Sequence, residues 1–394
     1  MTAVRRYIEL RAGEPAPWFT QRAHATPRYV FDTSAGRWIV LCFHATASDP
    51  VGREALAAVL ARRDLFDDTH ASCFVVSLDS GDLARGLRDV LPGVRCLHDF
   101  DGAVSKLYGV LPEDARPGEG RVPVRRMWFV LDPTLRIVAR VPFGDRGAGH
   151  AEVLALLERL PPPGRHTGFE VPVPVLVLPE VFEPELCATL VAMHRRDGGT
   201  PSGFVRERDG RTVLVHDAGH RVRRDAHIDD PGLRELLQAR IRRRVVPEIR
   251  KVHQFAVTRM ERYVVGCYAA DDGGHLRPKR DNATRGTAHR RFAVSINLNS
   301  DFDGGEIGFP EYGPRTFKPA AGTALVFSCS LLHSVTPVTR GRRYAFLPFL
   351  YDDAAAAERE AGTARLDDAL APSRPDGDDP ADAPTGGTVS RGTG

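Results

Sequence analysis

Residues 331–346 read LLHSVTPVTRGRRYAF, and this stretch decides the fold of the C-terminal half. A histidine, His333, stands ten residues before an arginine, Arg343, among apolar residues interrupted by proline and glycine. The chain around it, from about residue 256, consists of short strand-like runs separated by glycine and proline. Such punctuation is typical of an antiparallel sandwich or jelly roll, so we expect a mainly-β domain over residues 256–351.

A second polar cluster lies upstream, in the segment HLRPKRDN at residues 275–282. Lys279 and Asp281 are two residues apart, and on a strand this spacing points both side chains to the same face. Non-haem iron enzymes hold Fe(II) with two histidines and one carboxylate and leave the other coordination positions open. The first histidine of such a site usually stands two residues before the carboxylate, and here that position is Lys279.

These residues make the C-terminal half resemble the prolyl 4-hydroxylase-like Fe(II)/2-oxoglutarate-dependent dioxygenases. LLHSVTPVTRGRRYAF is similar to their H-x-V-x-P-V-T-x-G-x-R signature. Three further segments resemble the family's strands in the expected order: ERYVVGCYAADDGG (261–274), FDGGEIGFPEYG (302–313) and AGTALVFS (321–328). The resemblance implies a double-stranded β-helix (jelly roll).

The same resemblance assigns roles to individual residues. It implies that Asp281 and His333 bind Fe(II) and that Arg343 and Tyr268 bind 2-oxoglutarate. A planar guanidinium suits this task because it can bind a carboxylate through two hydrogen bonds. The resemblance also implies O2 as co-substrate and hydroxylation of a substrate C–H bond.

Lys279 leaves three hypotheses open for the first iron ligand, because a protonated lysine has no lone pair to offer a metal. In the first, His275 replaces the missing histidine, although an extended strand would separate it from Asp281 by roughly 20 Å. In the second, iron binds through Asp281 and His333 alone. In the third, the Lys279 ammonium takes the place of the metal and neutralises Asp281. A fourth possibility is that the segment is misaligned with the family's iron-binding motif.

The N-terminal segment has the pattern of an α/β domain. RWIVLCFHAT (37–46) and ASCFVVSLDS (71–80) are predicted to be buried strands, with an amphipathic helix over residues 53–66 between them. Residues 125–143 are predicted to form a hairpin, and residues 149–160 a closing helix. This order of elements is thioredoxin-like.

Three stretches of this segment resemble the peroxiredoxin (AhpC/TSA) family. They are GEPAPWF (13–19), HDFDGAVSKLYGV (98–110) and RMWFVLD (126–132), the last with Arg126 at the position of the family's active-site arginine. The family's PxxxTxxC loop is not retained, because Ala45, Asp49 and Gly52 stand at its three defining positions. Peroxide reduction needs a thiolate nucleophile, which glycine cannot supply. Cys42 lies in a predicted buried strand, so we expect a non-catalytic domain.

The composition excludes several other classes of function. A net charge of +3 on 394 residues gives no case for nucleic acid or an acidic membrane surface. The N-terminus lacks the apolar core of a signal peptide, and no run approaches eighteen apolar residues, so a cytoplasmic location is expected. The six cysteines are scattered without metal-knuckle spacing, which predicts reduced, buried thiols.

Four segments follow from these patterns. We expect a peroxiredoxin-like thioredoxin-fold domain over residues 1–164, with a linker in its last residues. Residues 165–255 are expected to form a helical buttress, residues 256–351 the oxygenase domain, and residues 352–394 a helix end and a disordered tail.

The favoured interpretation is a hydroxylase-type Fe(II)/2-oxoglutarate-dependent dioxygenase that carries a non-catalytic peroxiredoxin-like domain. Its substrate, a small molecule or a protein, has no readable signature, and neither has the oligomeric state. The competing hypothesis is a degenerate pseudo-oxygenase that acts as a binding or scaffold module, because Lys279 replaces the first iron-ligand histidine.

Overall fold

The structure is a computed structural model that describes residues 5–116, 122–208 and 211–363. The predicted disordered tail lies mostly outside these residues. The elements of the N-terminal part are β1 (Thr20–Gln21), β2 (Tyr29–Val30), β3 (Trp38–Ala45), α1 (Pro50–Ala61), β4 (Ala71–Ser77), α2 (Gly81–Ala84), β5 (Val94–His98), α3 (Ala103–Leu107), β6 (Met127–Leu131), β7 (Ile137–Pro142) and α4 (Ala148–Arg159).

One sheet organises the N-terminal part, with strand order β5-β4-β3-β6-β7. β3, β4 and β5 are parallel, whereas β6 and β7 run antiparallel to their neighbours as a hairpin. Alternate residues of β3 enter two separate cores, Leu41 and Phe43 on one face and Val40 and Cys42 on the other. A central strand buried on both faces is what a sheet covered by helices requires. The thioredoxin-like α/β prediction is confirmed.

The C-terminal part contains more strands than the sequence pattern indicated. Its elements are β8 (Leu176–Leu178), α5 (Pro184–Asp197), β9 (Thr200–Pro201), β10 (Phe204–Arg208), β11 (Arg211–Val215), β12 (Arg221–Val222), β13 (Arg224–His227), α6 (Pro231–Arg244), α7 (Val246–His253), β14 (Arg259–Glu261), β15 (Val264–Ala269), β16 (His275–Lys279), β17 (Phe292–Asn297), β18 (Asp303–Gly304), β19 (Ile307–Gly308), β20 (Thr316–Phe317), β21 (Ala324–Ser328), β22 (His333–Val335), β23 (Val338–Arg340), β24 (Arg342–Phe346), β25 (Phe349–Tyr351) and α8 (Asp353–Thr363).

Two sheets form the C-terminal sandwich. The smaller has the order β12-β16-β22-β19-β20, and the larger has the order β14-β25-β17-β24-β15-β13-β9, with β21 and β8 attached through β17. A shared apolar cluster lies between the two sheets. It contains Leu276 and Val335 of the smaller sheet and Tyr268 and Phe349 of the larger sheet. This is the expected jelly roll.

Helices α5, α6 and α7 pack against the larger sheet from outside. Leu190, Leu237 and Ile249 of these helices share a core with Val265 and Phe346 of the sheet. Three helices therefore cover this side of the larger sheet, and residues 165–255 also supply strands to both sheets of the sandwich. Among the described residues, no helix is long and apolar enough to cross a membrane.

The two halves contact each other through residues that flank the predicted iron ligands. The buried guanidinium of Arg280 donates to Asp32 of the N-terminal part (Nε–Oδ2 3.0 Å) and to Glu311 (Nη2–Oε1 2.8 Å). The Trp18 ring centroid lies 4.3 Å from Arg280 Cζ. Leu332 is fully buried in the N-terminal core. The N-terminal part is thus packed against the back of the segments that carry Asp281 and His333.

Replacing Arg280 by methionine should destabilise the protein strongly. The change leaves the Asp32 and Glu311 carboxylates buried without their cation, which typically costs about 3–5 kcal/mol. Arg340→Met is the matched control, because Arg340 pairs with Asp303 at the surface and an exposed pair contributes about 0–1 kcal/mol. Guanidinium chloride unfolding of both variants measures the difference. Equal costs would contradict the interface described here.

Candidate functional site

Three of the residues singled out in the sequence meet between β16 and β22. These strands are antiparallel neighbours, and Lys279 is the register partner of His333. Asp281 follows β16 and is held there by its backbone N–H, which donates to the Cys329 carbonyl at 2.9 Å. The Lys279 ammonium donates a hydrogen bond to Asp281 Oδ1, and the other carboxylate oxygen, Oδ2, lies 3.3 Å from His333 Nε2. The carboxylate therefore lies between a lysine and a histidine.

The surroundings of this group control its charge. Burial alone would raise the pKa of Asp281, but Lys279 and His333 hold that pKa well below its usual range. Burial lowers the pKa of Lys279, and Asp281 opposes that shift. Burial also lowers the pKa of His333, and the Lys279 charge adds to the lowering. Asp281 is consequently an anion whose charge is compensated by protein side chains.

The orientation of His333 suits it for accepting a proton or a metal at Nε2. Its Nδ1 lies 3.0 Å from the Leu331 carbonyl oxygen, which can only accept a hydrogen bond. The hydrogen of a neutral imidazole is therefore on Nδ1, and the lone pair is on Nε2, directed towards Asp281. Asp281 and His333 therefore face each other through a carboxylate oxygen and a ring nitrogen 3.3 Å apart.

The third ligand of a facial iron site is missing. Within residues 5–116, 122–208 and 211–363, no group of three or more His, Cys, Asp or Glu side chains could hold a metal ion. The structure does not bring His275 to the pair, because it lies at the other end of β16, opposite Val222, with Nδ1 2.8 Å from the Gly273 carbonyl oxygen. Lys279 fills the position instead, so the residues present do not fit the two-histidine, one-carboxylate site for Fe(II).

A narrow cavity of about 50 Å³ adjoins this group and is lined by Arg343 and Tyr268 as well. The two are register partners on β24 and β15, and Arg343 Cζ lies 5.4 Å from the Tyr268 ring centroid. The Arg343 guanidinium donates to Asn297 Oδ1 at 3.0 Å and to Ser295 Oγ at 2.9 Å. One water molecule needs about 10–15 Å³ on this measure, so the cavity admits only a small ligand.

Three arginines that the sequence reasoning missed line the same cavity: Arg221, Arg223 and Arg262. Arg223 and Arg262 both donate to Asp225, Arg223 through two nitrogens at 2.6 and 2.7 Å and Arg262 through one at 2.8 Å. Arg223 also donates to the Tyr268 hydroxyl at 3.3 Å. The available signal was the spacing of two between Arg221 and Arg223, which puts both side chains on one face of an extended segment.

The loop at residues 45–52 of the N-terminal part contains an aspartate that forms an ion pair with Arg126. Asp49 caps α1 by accepting from the Gly52 N–H at 2.8 Å and also accepts from Arg126. Cys42 is fully buried, and burial raises the pKa of its thiol, which makes it a poor nucleophile. All six cysteines are buried free thiols, as expected.

Gly52 has no space for a side chain. A Cβ at this position would lie 1.7 Å from the Thr46 carbonyl oxygen, so the backbone itself occupies the place of the family's nucleophile.

Known families match both halves of the chain. Residues 262–351 match the 2OG-Fe(II) oxygenase superfamily, and residues 12–140 match the AhpC/TSA family. The chain thus has an N-terminal region that matches the AhpC/TSA family and a C-terminal region that matches the 2OG-Fe(II) oxygenase superfamily. Both family resemblances noted in the sequence are confirmed.

Curated relatives and solved structures are similar to parts of the chain. A PKHD-type hydroxylase of Paracoccus denitrificans is 33% identical over 145 residues, which cover 35% of this chain and 63% of the relative, less than two thirds of its length. A prolyl hydroxylase from Trichoplax adhaerens aligns with 48% of this chain and 86% of its own at 18% identity and a TM-score of 0.38. Peroxiredoxin Q of Xanthomonas campestris aligns with 37% of this chain and 96% of its own at 22% identity and a TM-score of 0.31.

Gly52→Ala should destabilise the AhpC/TSA domain by about 1–3 kcal/mol or more, because the new methyl group must displace the Thr46 carbonyl. Gly232→Ala is a matched control in the first turn of α6, where the nearest atom to a Cβ is Asp230 Oδ1 at 3.5 Å. That control should be neutral or slightly stabilising. Urea unfolding compares the two. If Gly52→Ala is as harmless as the control, the steric argument is wrong.

Lys279→Met should raise the pKa of His333, because a positive charge is removed beside it while the Asp281 carboxylate stays. NMR titration of the imidazole Cε1–H signals, assigned with His333→Gln, measures the change. Lys251→Met removes an exposed lysine of α7 and should leave the His333 signal unaltered. An unchanged pKa in Lys279→Met would contradict the proximity of Lys279, Asp281 and His333.

Proposed function

We propose that the oxygenase domain is a metal-independent binding module for a small ligand. The observation that carries this proposal is the contact between the Lys279 ammonium and Asp281, which lies 3.3 Å from His333 on its other side. A protein cation already occupies the place beside the carboxylate where the superfamily places a metal cation. The domain therefore keeps the cavity of an oxygenase without its complete ligand set.

Electrostatics support this role. A metal ion must bind deprotonated ligands, and its affinity falls when a like charge stands next to it. Lys279 and Arg221 both line the cavity beside Asp281. An Fe(II) ion would add two positive charges to a cavity that already contains an excess of cations. A negatively charged ligand would have the opposite effect.

The AhpC/TSA domain acts, in this proposal, as a non-catalytic scaffold. It lacks a nucleophile at Gly52, and Arg126 donates a hydrogen bond to Asp49. Its contribution is structural, since Asp32 binds Arg280 and the core of the domain surrounds Leu332. Arg280 and Leu332 directly adjoin Asp281 and His333, so the scaffold supports the cavity from behind.

A second candidate is the hydroxylase reaction of the superfamily, Fe(II)- and 2-oxoglutarate-dependent with O2 as co-substrate. It is favoured by one observation, namely that His333 Nε2 and the Asp281 carboxylate still face each other as two ligands would. In this case Asp281 and His333 would hold Fe(II), and Arg343 and Tyr268 would bind 2-oxoglutarate. The missing third ligand predicts weak iron binding at best.

Iron binding to the full chain separates the two functions. Under anaerobic conditions we expect no measurable Fe(II) complex of the native chain with 2-oxoglutarate, and no succinate release after oxygen is admitted. Lys279→His restores the ligand and should bind Fe(II) at least tenfold more tightly, since even outer-shell partners change metal affinity by about 10–100-fold. Lys251→His, on the exposed face of α7, serves as the control.

The outcomes are distinct. Tight iron binding and succinate release by the native chain would establish the hydroxylase and refute the metal-independent proposal. Iron binding by Lys279→His alone would support the proposal and exclude the hydroxylase function for the native chain. Equal iron binding by Lys279→His and Lys251→His would show adventitious binding to an added histidine.

A further inference from the structure

A groove separates two edge strands of the C-terminal sandwich. Within the described residues, β8 pairs with β21 alone and so forms an edge of the larger sheet, and β20 is the last strand of the smaller sheet. The groove between them has a volume of about 590 Å³. Valines form most of one wall and two aromatic rings belong to the other: Val171, Val173, Val175, Val177, Tyr312 and Phe317.

The apolar surface of this groove is partly open. Val177 is 50% exposed, and Phe169, just before the valine wall, is 60% exposed. The rings of Tyr312 and Phe317 are half-buried. Edge strands of natural sheets are usually covered, and apolar patches beside them usually have a partner. The groove therefore has the character of a docking surface.

The C-terminal segment of the same chain contains a sequence that suits such a groove. Residues 370–377 read LAPSRPDG, in which Pro372 and Pro375 form a P-x-x-P motif. In a polyproline II helix, three residues make one turn, so two prolines at this spacing lie on one face about 9 Å apart. Segments of this type bind grooves that are lined by aromatic side chains.

The charges of the segment complement those of the groove. Glu170 and Arg315 line the groove with exposed side chains of opposite charge. The motif carries one residue of each sign as well, Arg374 and Asp376. Arg374 can therefore pair with Glu170, and Asp376 with Arg315.

The segment can reach the groove from the end of α8. Glu358 of α8 accepts a hydrogen bond from Arg291, the residue before β17 (Nη2–Oε2 2.8 Å). β21 alone separates β17 from β8, which places these strands roughly 10 Å apart at about 4.8 Å per spacing. α8 ends at Thr363, and Pro372 stands nine residues later. Nine extended residues span up to about 30 Å, which exceeds the distance to be covered.

We propose that residues 370–377 bind in this groove of their own chain as an extended polyproline segment and cover the edges of β8 and β20. The two prolines pack on Tyr312 and Phe317. Eight residues bury too little surface for a stable complex between separate molecules. A short tether raises the effective concentration of the segment to the millimolar range, so a weak contact is sufficient within one chain.

The position of the groove connects this contact to the cavity of the oxygenase domain. The Phe317 ring lies 5.8 Å from that of Phe309, which lies 5.0 Å from that of Phe327. The Phe327 ring in turn lies 4.9 Å from the His333 imidazole. The bound segment thus packs on the far end of the row of rings that supports His333.

Hydrogen exchange of the full chain, measured by mass spectrometry at millisecond to second labelling times, tests the proposal. We expect the amide hydrogens of residues 370–377 to exchange at least tenfold more slowly than their sequence-specific rates. Residues 385–391, which lack the motif, should exchange without protection. Absence of protection over 370–377 would overturn the proposal. Protection that increases with protein concentration would also overturn it, because a second copy would then supply the segment.

Two pairs of variants locate the contact. Pro372→Ala combined with Pro375→Ala should abolish the protection, whereas Pro380→Ala combined with Pro384→Ala should preserve it. Neither pair changes a residue of the described fold, so lost protection cannot result from unfolding. Equal protection in both proline pairs would contradict the assigned motif.

The groove itself is tested by a charge at Val177. Val177→Asp places a carboxylate in the apolar groove and should remove the protection of residues 370–377. Val252→Asp is the matched control, because Val252 is 51% exposed on α7, outside the groove. Protection that survives in Val177→Asp would refute the groove as the binding site.

A synthetic peptide of residues 368–379 provides an independent measurement. In the native chain its own segment competes for the groove, so the peptide should bind weakly. The chain with Pro372→Ala and Pro375→Ala leaves the groove accessible and should bind the peptide at least tenfold more tightly in isothermal titration. Equal affinity for the two chains would show that the native segment does not occupy the groove and would overturn the proposal.

Discussion

The alternation of side chains over residues 279–281 is the constraint on which the rest of this protein depends. Lys279 and Asp281 face the cavity of the oxygenase domain, whereas Arg280 between them faces the other domain and binds Asp32 and Glu311. Leu332 and His333 alternate in the same way at the start of β22. Leu332 lies in the AhpC/TSA core, and His333 faces the cavity. Lys279, Asp281 and His333 therefore each have a chain neighbour that is anchored in the other domain.

The charges of the cavity follow from that arrangement. Asp281 is held where an iron ligand belongs, but the cation that it binds is Lys279, supplied by the same strand. Asp225 similarly satisfies Arg223 and Arg262 from the adjacent segment. The guanidinium groups of Arg221 and Arg343 have only neutral hydrogen-bond partners within the described residues.

Much of this molecule could be predicted from short-range patterns. Motif context was sufficient to bring Asp281, His333, Arg343 and Tyr268 to one cavity, because strand periodicity fixes which face each residue occupies. It could not choose among the hypotheses for Lys279, since that choice depends on which atoms meet across strands. Arg221 was missed because its strand, β12, is only two residues long, so its spacing of two from Arg223 was the only periodic signal around it. Arg280 was missed because its partner Asp32 is 248 residues away.

Gly52 stands where the AhpC/TSA family has a cysteine, and Lys279 stands where the oxygenases have a histidine. The two positions differ in how easily the family residue could be introduced. At position 279 the residue lies on a strand opposite His333, so a histidine there requires a change of side chain only. At position 52 the Thr46 carbonyl fills the space that the Cβ of a cysteine would need. A cysteine at position 52 therefore requires the main chain around Thr46 to move as well, which no single substitution supplies.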